Sequence, residues 1–118
     1  SAPVEILPNF LPEPCPEAPP IGDDPEERIV GWAGSVGHMP DLLAFTPELL
    51  AIARHYPRAR FRVMGNESIP SLFPELEGRL DFTNWGTMEQ YFRFWSGVHL
   101  GVIPLLDSPY NRCRSDIK

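Results

Sequence analysis

Two short stretches of this sequence carry residues whose types and spacing could meet an anion. The first, near the C-terminus, runs Pro104-Leu105-Leu106-Asp107-Ser108-Pro109-Tyr110-Asn111-Arg112-Cys113-Arg114-Ser115-Asp116-Ile117-Lys118. Arg112, Arg114 and Lys118 stand where a helix is expected to begin after a strand. There guanidinium, ammonium and helix N-terminus could converge on one anion, with a diphosphate the natural guest. The alternative is that these cations are solvated and offset by Asp107 and Asp116. The second stretch is Gly31-Trp32-Ala33-Gly34-Ser35-Val36-Gly37-His38, whose glycines would let backbone N–H groups approach a phosphate. Its spacing is neither that of a P-loop nor that of the dinucleotide fingerprint, and the same glycines would equally serve a tight strand-to-helix turn. His38 could donate to a substrate hydroxyl or phosphate, or stand in that turn.

Other chemistries find little support. His38, His55 and His99 fall on different expected elements, so no zinc site is expected. Asp23, Asp24, Glu26 and Glu27 crowd one connector, which fits solvated surface better than paired catalytic carboxylates or a metal site. No nucleophile-elbow sequence with Ser-His-Asp order is present. Ten Lys and Arg against sixteen Asp and Glu give a net charge of −6, which repels a nucleic-acid backbone. Apolar runs are too short to cross a bilayer, and no secretory signal is evident. Cys15 and Cys113 form neither a metal-ligand pair nor a disulfide framework. A soluble, cytoplasmic protein without a cofactor is the expectation.

The elements that must position these residues follow from the pattern of apolar residues and prolines. With 118 residues, 42% of them hydrophobic, one packed domain is expected. Eight of the fifteen prolines lie between Pro3 and Pro25, so residues 1–27 read as an extended interdomain connector with a short strand at Val4 to Leu7, or else as a disordered tail. Residues 28–118 carry the fold. Ile29 to Trp32 suggest a buried strand; Leu42, Phe45, Leu49, Ile52, Ala53 and Tyr56 share a helical face. Pro47 places a helix start there with Thr46 as its cap, and Asp41 to Phe45 as a separate turn. Phe61 to Met64 give a second strand, Ser71 to Leu76 a short helix, and Leu80 to Thr83 a third strand. Thr87 and Gln90 form a capping-box signature before the stripe Met88, Tyr91, Phe92, Trp95, stopped by Gly97. Val98 to Ile103, nearly all apolar, give a fourth strand of the kind covered on both faces. The alternation predicts an α/β fold, a Rossmann-like parallel sheet of about four strands with flanking helices. Ligands of such sheets bind beyond the carboxyl ends of the strands, at Gly34 to Asp41, Gly65 to Ser68, Asn84 to Thr87 and Pro104 to Lys118.

Taken together, these segments resemble the C-terminal, nucleotide-sugar-binding domain of group 1 GT-B retaining glycosyltransferases over roughly residues 4 to 118. The resemblance rests on Ile6-Leu7-Pro8-Asn9, on Gly34-Ser35, His38 and Asp41-Leu42, and on Val63-Met64-Gly65. Its most specific part is Pro104-Leu105, Asp107, Asn111, Arg114-Ser115 and Lys118. It implies an incomplete GT-B C-terminal domain that binds a nucleotide diphosphate sugar, with the paired glutamates of the donor site expected just beyond Lys118. Gly34, Ser35, His38, Asn111, Arg112, Arg114 and Lys118 would then face the diphosphate, and Gly65 and Asn66 would lie near the nucleoside. Ser35 and His38 stand where many relatives carry Arg and Lys, leaving Arg112, Arg114 or Lys118 to compensate. Such a domain would be inactive alone and needs no protein nucleophile. The competing expectation is a non-catalytic glycosyltransferase-like module used for protein contacts. In either case the outer edge of the fourth strand invites pairing, by another copy or by Val4 to Leu7.

Overall fold

In the computed structural model of the protein, residues 27–113 are described. The expected strand at Val4 to Leu7, the Pro8-Asn9 signature, Cys15, Asp23, Asp24 and Glu26 lie outside the described residues, as do Arg114, Ser115, Asp116 and Lys118. Four strands form one sheet: β1 (Ile29–Ala33), β2 (Arg60–Gly65), β3 (Leu80–Asn84) and β4 (Leu100–Gly101). Every pairing is parallel and the order is β3-β2-β1-β4, the Rossmann-like α/β arrangement expected from the pattern. Among the described residues α1 (Met39–Ala44), α2 (Thr46–His55), α3 (Ile69–Leu72) and α4 (Met88–Trp95) connect the strands, and α5 (Pro109–Arg112) follows β4.

Side chains alternate across the sheet, and the two faces differ in depth. Phe61 and Val63 of β2 join Val30 and Trp32 of β1 on one face, where they pack with Leu42, Leu49, Ile69, Phe73 and Leu76 from the helical layer. On the other face Met64 and Ala33 meet Phe94 of α4, flanked by Tyr91 and Trp95. Trp95 can lie against the sheet because β1 and β4 present paired glycines there. A Cβ on Gly31 would stand 3.0 Å from Trp95 Cζ3 and 2.8 Å from Val98 Cγ1, and one on Gly101 3.3 Å from Trp95 Cζ3.

Capping explains where the helices start and stop. The capping box read at Thr87 is present: Gln90 N–H donates to Thr87 Oγ1 at 3.2 Å, and Thr87 N–H donates to Gln90 Oε1 at 2.7 Å. Gly97, with φ of 80°, follows the end of α4. At the end of α2, Arg79 donates to the carbonyls of Ala53, Tyr56 and Ala59 at 3.0, 2.7 and 3.0 Å. One guanidinium thus serves the acceptors that a helix C-terminus leaves without intrahelical partners.

Three expectations need correction. Thr46 is the first residue of α2 rather than its cap; Phe45 holds the cap position because α1 runs almost directly into α2, and Leu49 N–H donates to Phe45 O at 3.0 Å. The short helix is Ile69–Leu72, followed by a separate 3₁₀ turn at Pro74–Leu76, since Pro74 brings no N–H and restricts Phe73 before it. The fourth strand is only Leu100–Gly101. His99 N–H donates to Ile29 O at 2.9 Å and the His99 ring accepts from Ile29 N–H at Nδ1, 3.1 Å, so a side chain replaces one rung of the ladder. Nor are both faces covered. Leu100 is 52% and Ile103 48% exposed.

Candidate functional site

The chain steps from β1 outward to β2 and β3, then returns to the far side of β1 for β4. In parallel sheets the crevice at such a crossover, between the carboxyl-end loops of the two strands, is where ligands bind. The first loop holds Gly34 to His38, ending in a 3₁₀ turn at Val36–His38 that runs into α1. The second holds Val102 to Ser108 and leads into α5.

Close packing fixes the first loop. Gly34 is buried, its N–H donates to Met64 O at 3.1 Å, and a Cβ there would collide with the Trp32 ring and lie 2.9 Å from His38 Cβ. Gly65 faces it across the sheet end, where a Cβ would meet Gly34 O. Gly65 is therefore required by the approach of the Gly34 backbone, and Gly34 by the side chains of Trp32 and His38 packed against it. Beyond them Ser35, Val36 and Gly37 are exposed, and their N–H groups form no hydrogen bond among the described residues.

Asp41 ties the two loops together, although sequence reasoning placed it only in a turn and a family pattern. It is 4% exposed, and Oδ1 accepts from Leu106 N–H at 2.9 Å and from Asn111 Nδ2 at 2.8 Å. Oδ2 lies 3.7 Å from His38 Nδ1. Asn111 Nδ2 also donates to Leu106 O at 2.8 Å, while its Oδ1 is buried and has no hydrogen-bond partner among the described residues. A buried carboxylate is tolerated only when its oxygens are satisfied, and here residues some seventy positions apart satisfy it. The available signal was an acidic residue in the first turn of an amphipathic helix, three residues after a histidine.

The remaining candidates separate. Asn66 makes a local turn, its Oδ1 accepting from Ser68 N–H at 2.9 Å ahead of α3. Arg112 is bound in a bidentate pair by Asp107, with Nε to Oδ1 2.7 Å and Nη2 to Oδ2 2.9 Å. That hydrogen bonding lowers the Asp107 pKa and raises that of Arg112. Asp41 thus brings His38 and Asn111 together, with Gly34 and Ser35 on the same loop as His38, and Arg112 follows Asn111 in α5. Arg114 and Lys118 lie outside the described residues. Among the described residues no group of His, Cys, Asp and Glu could hold a metal ion, and no helix is long and apolar enough to cross a membrane. Comparison with protein-family models, curated proteins and solved structures gives no match.

Proposed function

We propose that this domain binds the nucleotide diphosphate sugar of a glycosyltransferase, holding the diphosphate in the crevice between the β1 and β4 loops. The supporting observation is that the N–H groups of the exposed residues Ser35, Val36 and Gly37 form no hydrogen bond among the described residues, on the loop that leads into the helix whose buried Asp41 carboxylate holds the Asn111 loop. Consecutive backbone donors suit phosphate oxygens, and their fixed direction would stabilise charge on a departing diphosphate without reorganisation. His38, 16% exposed in its side chain and 3.7 Å from Asp41, would add a donor on the same side.

The test is an amide titration of the full chain with UDP-, GDP- and ADP-glucose. At least one donor should move the Ser35, Val36 and Gly37 resonances together with Asn111, and the matching nucleoside should not. Failure of all three at millimolar concentration to move them would refute the assignment.

A second reading, a non-catalytic module for protein contacts, has its own support. Arg112 is already engaged by Asp107, and Leu105, Leu106 and Tyr110 beside it are exposed. It requires the same titration to leave the crevice silent.

A further inference from the structure

The thinner face of the sheet carries a cation that the crevice does not use. Arg62 projects from β2 on the α4 side, and its Nη1 donates to Phe94 O at 2.9 Å and Ser96 O at 2.6 Å, the carbonyls at the end of α4. Arg79 spends Nε, Nη1 and Nη2 on carbonyls at the end of α2, whereas Arg62 spends one nitrogen. Its Nε and Nη2 form no hydrogen bond among the described residues. Asp81, the register partner of Arg62, does not neutralise it, because Arg60 holds both Asp81 oxygens at 3.2 and 2.7 Å.

Arg62 lines an open pocket of about 470 Å³ with Thr83, Gln90, Arg93, Phe94 and Ser96. That volume falls in the range of small-molecule sites. The lining offers two guanidinium groups, two hydroxyls and an amide, and no carboxylate. Glu89 pairs with Arg93 at 2.7 Å, but that pair is 73% and 79% exposed, where such pairing is weak and readily exchanged for another anion. Two carbonyls fix the plane of the Arg62 guanidinium, so its free edge is a preoriented fork for two oxygens of one anion.

We propose that this pocket binds a phosphate monoester, separately from the crevice at the β1–β4 crossover. A tetrahedral dianion can accept from the Arg62 fork, from Arg93 and from the Thr83 and Ser96 hydroxyls at once, whereas a planar carboxylate has only two oxygens to share among them. Phe94 supplies an apolar wall for the carbon portion of the ester.

The Nε–H resonance of Arg62 in the labelled full chain reads the site directly. Inorganic phosphate should move it saturably, while sodium chloride of matched ionic strength and acetate should not. R93Q should raise the phosphate dissociation constant about tenfold, as expected for loss of one charge-assisted contact. R62K, which keeps the charge and loses the fork, should abolish the saturable phosphate shift read on the Arg93 Nε–H resonance. The proposal is overturned if the resonance follows ionic strength alone, if acetate moves it as far as phosphate, or if R93Q leaves the constant unchanged. The readouts on Arg62 itself and on R93Q hold even if R62K fails to fold.

Discussion

The two faces of the sheet solve the same covering problem with unequal means. One is buried under α1, α2, α3 and the turn after α3, with Phe61, Leu42, Ile69, Phe73 and Leu76 almost wholly withdrawn from water. The other has, among the described residues, α4 over Ala33 and Met64, with Arg60, Arg62 and Asp81 on the strands beside it. The first face holds the larger buried core, and of those three side chains on the second only Arg62 has groups, Nε and Nη2, left without a hydrogen bond among the described residues.

Equal substitutions on the two faces would break that comparison most directly. Phe61→Ala should cost about 4 kcal/mol in urea unfolding and Phe94→Ala closer to about 3 kcal/mol, since a site at the thin face can collapse or admit water. Equal losses would mean that α4 carries as much of the fold as the deep layer. Asp41→Ala strips the acceptor from Leu106 N–H and Asn111 Nδ2. A loss of about 2 kcal/mol is expected, with broadening of the Leu106 and Asn111 amides in NMR spectra and the β2 amides unchanged. Thr87→Ala removes half of the capping box over the thin face and should cost about 1 kcal/mol; faster amide exchange in α4 than in α2 would locate the damage.

The smallest effect concerns pH. Asp107 is fully exposed and its pKa is lowered by the hydrogen bond from Arg112. The pair's contribution is therefore present above the ordinary aspartate value and is lost as pH falls through the lowered one. Carbon-detected titration of the Asp107 carboxyl should show a midpoint below the ordinary value, moving back up in Arg112→Gln.

What was legible in the sequence was what short-range periodicity encodes. Alternation in Phe61-Arg62-Val63-Met64 gave β2, the helical stripe with Thr87 and Gln90 gave α4, and the β-α order gave a parallel sheet. Errors arose where a distant group replaced a local one. The apolar run from Val98 to Ile103 looked like a long strand, yet only Leu100 and Gly101 are assigned to β4, and the His99 ring rather than a carbonyl receives Ile29 N–H. Asp41 looked like a turn residue because its partners Leu106 and Asn111 are far along the chain. Gly34 was legible as a small residue at a strand end, where its neighbours Trp32 and His38 leave no room for a Cβ, but the need for Gly65, the approach of Gly34 O, is tertiary.

The shortness of β4 also bears on how the molecule breathes. β2 is hydrogen-bonded on both sides along most of its length, whereas among the described residues β4 pairs with β1 alone, through two residue pairs and a histidine ring. Fluctuations that detach β4 expose little apolar surface, so they cost far less than global unfolding. Opening of the segment from Leu100 to Arg112 must still release the Asp41 bonds to Leu106 N–H and Asn111 Nδ2, so β4 is set to part from the sheet before β2 does, with the buried carboxylate as its latch.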